Sequence, residues 1–328
     1  MPVVSLRHVL RWVVVGLPVW LAGPGPAQGQ TPLAAFEQAY GELLQRYWRP
    51  PVTIHGIRTT VFDYGRLVAE RAAAPQDHPL DRSLQALAAV APEALTPAQA
   101  KALWINAYNL GAIRLIVDHY PVDSIRSPKI NLLRYPWWQD AVTVGGRRYS
   151  LSEIERGRLL ARDGDLRILF AVGCAAVSCP DRGREPYRAA GLEDQLDATV
   201  RALLRNPTKG MAVDRQRGIL RLSAIFDIER RLFGGDAGIR AFVGRYVEGD
   251  LRDWIARRRP RLQFWAHDWT VNDSAQADRP AAVTPGAGPR GAAVRRGRRP
   301  GAGGLNFLPS IGRSQAWVES KAGGASAA

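Results

Sequence analysis

The stretch TPAQAKALWINAYNLGAIRLIVDHYP, residues 96–121, constrains this chain more than any other. Thr96 reads as an N-cap, Pro97 as a first-turn proline and Gln99 as the returning side chain of a capping box. Pro121 marks the far boundary, because a proline cannot continue the ladder. Between them the apolar residues occupy every face, so the helix cannot lie on a surface with one side in water. It must be a core helix that the rest of the chain surrounds.

The flanking segments supply that cover. Residues 32–47 place Leu33, Phe36, Tyr40, Leu43 and Leu44 at helical spacing. Helices are also predicted at 64–73, 80–90, 191–205, 223–233, 236–247 and 250–258. The period then changes in places. Val142 and Val144, a Gly145-Gly146 turn and Tyr149 predict one hairpin, after which Ser150 and Glu153 cap a short helix. A second hairpin is expected across 211–222. The run LRILFAV, 166–172, reads as a fully buried strand, and a last short strand is expected at 262–265. The fold class is α+β, a single mixed domain that is helix-rich, with short strands and two hairpins.

Both ends depart from this pattern. Arg7, His8 and Arg11 precede the apolar run WVVVGLPVWLA, and Ala27-Gln28-Gly29 follows it, the layout of a cleaved secretory signal over 1–29. Gly16 and Pro18 interrupt the run and it is short for a membrane span, so contact with a membrane is expected only through the signal before its removal. No cysteine stands near the cleavage site and no arginine pair precedes the apolar run, which sets aside lipoprotein and twin-arginine export. Export to the periplasm or the medium is the expectation. Residues 280–328 are rich in Gly, Ala, Pro and Arg and poor in anything that builds a core, so a disordered basic tail is expected after a domain spanning 30–279. The net charge of +15 overstates the basicity of that domain, because residues 281–328 hold six Arg and one Lys against one Glu, and the signal holds two more Arg. About half of the charge is left for the body. No aromatic residue interleaves with Arg295, Arg296, Arg298 and Arg299, so no nucleic-acid partner is expected.

The residue types that carry chemistry are few. FAVGCAAVSCP, 170–180, holds both cysteines of the chain, Cys174 and Cys179. A catalytic thiol needs a lowered pKa and partial exposure, which a neighbouring imidazole or cation supplies. In an oxidising compartment the same two residues can close a small disulfide ring, worth about 2 kcal/mol by loop entropy. Two thiolates are also half of a tetrahedral zinc site, but the histidines are scattered along the sequence and none is paired at ligand spacing, so neither a metal nor another cofactor is expected. Asn106 and Asn109 put two amides on one face of the apolar helix. A buried amide must be bonded, either to a neighbouring loop's backbone or toward a polar pocket. His119, just beyond that helix, is a candidate base, or a histidine placed there by the helix dipole. Trp137, Trp138, Trp265 and Trp269 could wall a groove, or finish a core.

In order and spacing, ALWINAYNLGAIRLIVDHYPVDSI, VTVGGRRYSLSEIERG, LRILFAVGCAAVSCP, LSAIF and HDWTVND resemble the domain of unknown function 547 family, a group of bacterial, often exported proteins with plant relatives. The resemblance spans about 63–273. It marks Trp104, Asn106, Tyr108 and Asn109 on the helix, Cys174, Ser178, Cys179 and Pro180 in the cysteine motif, and Asp268, Trp269 and Asn272 near the end. Two positions depart from the family's usual pattern. Arg156 stands where Ile-Glu-His is usual, and His267 stands where Tyr-Asp-Trp is usual, so His267 is not expected to be the family's general base. The reading that follows is a monomeric thiol-dependent amide hydrolase or acyl transferase of the cell envelope, acting on a small molecule, peptide or envelope polymer. Cys174 or Cys179 is its nucleophile and His119 or Glu155 its base, with Asn106, Asn109, Ser178, Asp268 and Asn272 around the site. The alternative is a non-catalytic binding or scaffold domain with a Cys174–Cys179 disulfide.

Overall fold

A computed structural model describes residues 30–278 apart from 76 and 134, so the expected signal peptide and basic tail lie outside the described residues. Its centre is the capped helix. In chain order the elements begin with α1 (Pro32–Tyr47), β1 (Trp48–Ile54), β2 (Ile57–Phe62), α2 (Tyr64–Ala73), α3 (Pro79–Ala88) and α4 (Pro97–Val117). The Thr96 hydroxyl accepts from the Gln99 N–H at 3.3 Å, and Gln99 Oε1 accepts from the Thr96 N–H at 3.0 Å. Its 21 residues are buried almost throughout. Gly111 permits the closest approach to it, since a Cβ there would lie 3.0 Å from Ala141 Cβ and 3.1 Å from Leu151 Cδ2.

Next come β3 (Asp140–Val144) and β4 (Arg147–Ser150), joined by Gly145-Gly146 with positive φ at both positions as a type I′ turn requires. The Ser150 and Glu153 side chains cap each other's backbone as expected, but the turns that follow are π-helical over Glu153–Leu160 before α5 (Ala161–Asp163) ends the run. Then follow α6 (Ile168–Ala171), α7 (Leu192–Leu204), β5 (Met211–Asp214), β6 (Ile219–Leu222), α8 (Ala224–Ile228), α9 (Gly235–Tyr246), α10 (Gly249–Arg258) and β7 (Arg261–Phe264). The last strand lies parallel to β6 and completes a sheet ordered β5-β6-β7. The protein is a single α+β domain, helix-rich with small sheets. Among the described residues no helix is long and apolar enough to cross a membrane.

Two expectations need correction. Among the described residues there are three antiparallel hairpins, because β1 and β2 also pair. Their turn is His55-Gly56, with φ of 51° and 76°, and a register shift between Arg49 and Val52 accommodates Pro50 and Pro51. Neither the prolines nor a His-Gly turn is a usual hairpin signal. The run 166–172 is not a strand either. It forms the single helical turn α6, opened by the Asp165 carboxylate, which accepts from the Arg167 N–H at 3.1 Å.

The reason lies in the packing. Ala171 and Val172 belong to an apolar cluster built on α4 with α1 and α3, whereas Leu169 and Phe170 belong to a second cluster, where Phe170 meets Phe226, Phe233 and Phe242. A segment buried on both sides shows no period, and a short apolar run then fits a helix as well as a strand.

Candidate functional site

The chain leaves α6 at Val172 and enters the cysteine loop between the two clusters. Asn109, on α4, fixes that exit: its Nδ2 donates to the Ala171 carbonyl at 3.0 Å and its Oδ1 accepts from the Gly173 N–H at 2.7 Å. Asn106, one turn earlier, holds the Tyr187 backbone in the same two-bond manner at 2.8 and 2.9 Å. Both amides therefore act as backbone clamps at the two ends of the loop. Ala175 takes a left-handed conformation, φ 55°, which only a fold that over-determines the loop sustains in a residue other than glycine. The loop turns back on itself, and Cys174 and Cys179 form a disulfide with their Cα atoms 6.0 Å apart.

The closing segment lies alongside. Val177 N–H donates to the Thr270 carbonyl at 2.8 Å, Asn272 N–H to the Ala175 carbonyl at 3.1 Å, and Phe62 N–H to the Asn272 carbonyl at 2.9 Å. Residues 270–272 are thus stitched between β2 and the cysteine loop. Ser178 Oγ accepts from the Asp268 N–H at 2.9 Å, and Asn272 Nδ2 donates to the Thr60 carbonyl at 3.1 Å. These bonds set His267 over the disulfide. Its Nε2 lies 4.0 Å from Cys174 Sγ and 3.8 Å from Cys179 Sγ, and its ring packs against Trp269 with centroids 4.0 Å apart. Burial holds the imidazole pKa down at about 4; Lys209 and Arg126 add to this and Asp268 opposes it. The ring is therefore neutral near pH 7, and its Nδ1 is buried without a partner among the described residues.

Lys209 secures the loop from below. Its side chain is 1% exposed, and Nζ donates to Thr59 Oγ1, the Val177 and Cys179 carbonyls and Asp181 Oδ1 at 2.8 to 3.1 Å. Asp181 Oδ1 also accepts from the Thr60 N–H at 2.8 Å. Burial lowers the lysine pKa and Asp181 opposes the fall. Beside this lysine lies a cleft of about 340 Å³ lined by His55, Ser178, Lys209, Ser223 and Trp265. Asp268 faces the same side: one carboxylate oxygen accepts from the Thr270 N–H and the other meets His55 Nδ1, both at 2.9 Å. Burial pushes this carboxyl up, but the bonds from Thr270 and His55 outweigh it and leave the pKa below the usual aspartate value.

Glu155 stands at one remove. Burial raises its carboxyl to about 6, with Arg156 opposing, Glu229 adding and the Tyr108 hydroxyl donating to it. Tyr108 accepts from Trp137 Nε1 at 3.1 Å, and Trp137 meets Trp269 edge to face at 5.4 Å, so the carboxyl connects to His267 through a line of aromatic rings. Arg156 binds Glu229 with both terminal nitrogens. His119 bonds the Leu115 carbonyl of its own helix at 2.9 Å.

The structure thus brings Cys174, Cys179, Ser178, Asp268, Asn272 and Asn109 around one loop. Asn106 lies behind it, Glu155 is joined indirectly, and His119 serves its helix end. The imidazole at the sulfurs is His267, which the family resemblance does not favour as a base. Lys209, Asp181 and His55 carried no signal, since a lysine in a loop sequence such as NPTKG reads as solvated.

Residues 92–204 match the model of the family described as "Protein of unknown function, DUF547". The match supports assignment of this segment to the DUF547 family. No curated protein and no solved structure matches it. The DUF547 match contains the cysteines and both asparagine clamps, whereas Lys209, His267, Asp268 and Asn272 lie beyond its end.

Proposed function

We propose that the protein is an exported thiol enzyme of the cell envelope whose Cys174–Cys179 disulfide opens and closes in use. The observation that carries this reading is the neutral, buried imidazole within 4.0 Å of both sulfurs. A ring this small stabilises a fold by only about 2 kcal/mol, so a staple alone is a weak reason for it. A dithiol reductant opens the ring by thiolate attack on one sulfur and leaves two thiols as it is itself oxidised to a disulfide. Cys174 is then the nucleophile, because it keeps some exposure whereas Cys179 is 3% exposed. His267 Nε2 takes the thiol proton. The thiolate so formed raises the basicity of the imidazolium beside it, which offsets the depression imposed by burial. Attack of Cys174 on a disulfide substrate gives a mixed disulfide and frees one substrate thiol, and attack of Cys179 on Cys174 releases the other thiol and recloses the ring.

A second reading keeps the same nucleophile but directs it at an acyl carbon, as an amide hydrolase or acyl transferase would. The cleft beside Ser178 favours it by offering room for a substrate on the same loop. It asks more of His267, whose Nδ1 has no orienting partner, since the Asp268 carboxylate is engaged by His55 and Thr270.

Alkylation of the mature protein at graded dithiol potentials separates the readings. The expected result is reversible appearance of two thiols, with Cys174 alkylated faster than a free cysteine and His267→Gln slowing it. A disulfide that stays closed until the protein unfolds supports the non-catalytic scaffold instead. Turnover of amide or thioester substrates by the reduced protein alone supports the acyl reading.

A further inference from the structure

Thiol exchange uses the imidazole and one sulfur at a time, but three soft or borderline donors converge here. Cys174 Sγ, Cys179 Sγ and a His267 ring nitrogen all lie within 4.8 Å of one another. We propose that Cys174, Cys179 and His267 form, once the disulfide is reduced, a three-ligand site for a thiophilic divalent ion such as zinc, with a fourth coordination position left open. This rests on the reading above that the disulfide opens.

Donor geometry supports it first. Zinc binds thiolate at about 2.3 Å and imidazole at about 2.0 Å, so in a tetrahedral shell neighbouring donors stand roughly 3.5 to 4 Å apart. His267 Nε2 already sits 4.0 and 3.8 Å from the two sulfurs. Breaking the S–S bond lets the sulfurs part to that spacing, across Cα atoms 6.0 Å apart. The nitrogen that points at the sulfurs is Nε2, one of the two through which histidine ligates.

Charge supports it next. Two thiolates neutralise a divalent ion, and the Lys209 ammonium, 2.8 Å from the Cys179 carbonyl, sets a positive charge beside the loop that carries them. The ammonium of Lys209 is occupied by the Cys179 carbonyl and Asp181, so it steadies the loop without competing for the ion. Rigidity is the third support: Asn109 fixes the loop at Gly173, Lys209 fixes it at Cys179, and the backbone bonds from Ala175 and Val177 fix the histidine strand. A site with this donor set and one open position is of the type found in catalytic rather than structural zinc centres. Only His267 Nδ1 lacks the outer partner that ligating histidines usually have, which places the expected affinity below that of a fully supported site.

Oxidation state then decides occupancy. In the disulfide neither sulfur carries a thiolate charge, so closing the ring, with a disulfide substrate taking up the two electrons as it is reduced to thiols, expels the ion. A dithiol reductant supplies two electrons and two protons to the disulfide and is itself oxidised to a disulfide, and the two thiol protons are released as the ion binds.

The test uses the full chain after removal of any signal peptide, reduced by a trialkylphosphine, which takes up oxygen from water as its oxide and does not chelate zinc. Thiols are counted, and cobalt(II) is then added and its thiolate charge-transfer absorption followed, with zinc as competitor. One equivalent is expected to bind the reduced protein and none the oxidised protein. Cys174→Ser and His267→Gln should each weaken binding by about 100-fold or more, with far-UV circular dichroism unchanged. His267→Tyr keeps an aromatic ring against Trp269, provides a second variant and should also lose the ion. Two titratable thiols without an absorption band, or full binding by both His267 variants, would overturn the metal site and leave the thiol enzyme standing. Failure of the thiols to appear in the folded protein would overturn both.

Discussion

Replacing Lys209 by methionine keeps the buried aliphatic stem and removes the ammonium. The structure allows the cost to be worked out. The Val177 and Cys179 carbonyls lose a charged donor, at about 1 kcal/mol each when left unpaired in the interior. Asp181 loses its ion pair, but it is 24% exposed and still accepts from Thr59 and Thr60, so its share is well below the ~3–5 kcal/mol of a fully buried broken pair. Relief of the desolvated ammonium offsets part of this. The expected loss is about 3 kcal/mol, read as a lower urea midpoint at unchanged slope, or as a fall of roughly 10 °C in melting temperature. Asp181→Asn keeps the acceptor and removes the charge. The double variant should therefore be more stable than the two single losses predict, by about 1 to 2 kcal/mol. A loss under about 1 kcal/mol, or strict additivity, would show that Lys209 does not organise the cysteine loop.

Acidification provides a second test. The His267 pKa is about 4 in the folded chain against 6.5 for an unperturbed histidine, so the unfolded chain binds more protons between those values and stability rises with pH from about 4 to about 6.5. Glu155 acts in the opposite sense, because a carboxyl raised from 4.5 to about 6 makes the folded chain the better proton binder across that window. The stability difference between wild type and His267→Gln should thus grow with pH over 4 to 6.5, and that between wild type and Glu155→Gln should shrink over 4.5 to 6; urea titrations at stepped pH read both. Asn109→Ala leaves the Ala171 carbonyl and the Gly173 N–H unpaired and should cost about 2 to 4 kcal/mol by the same assay. Cys174→Ser combined with Cys179→Ser should cost only about 2 kcal/mol, and a much larger loss would make the disulfide structural after all.

The core helix was legible because its capping box and continuous apolar surface report local and global preference together. The Gly145-Gly146 hairpin was legible for a similar reason, a turn whose backbone angles demand glycine. What escaped was whatever depended on two neighbours at once. The turn at Ile168–Ala171 lies between two apolar clusters and so has no period to read. Within the site, Cys174, Cys179, Asn106 and Asn109 stood out by type, and the choice between clamp and pocket for the amides needed the positions of Ala171, Gly173 and Tyr187. Lys209 was invisible, since burial of a lysine is a property of what surrounds it. His267 was visible as a histidine, but its contact with the sulfurs arises from backbone pairing between segments about 90 residues apart.

The composite origin of this site bears on how such a domain diverges. The strap with its two cysteines and its two asparagine clamps comes from within residues 92–204, whereas the imidazole and the buried ammonium are delivered by the chain that follows. Tyrosine in place of His267 would keep the clamped loop yet present a phenol to the sulfurs, a poorer proton acceptor for a thiol and a poorer partner for a soft ion. The clamped loop and the imidazole are thus separable parts of this molecule, and a change at residue 267 alone would alter what the sulfurs face without touching the bonds that hold them.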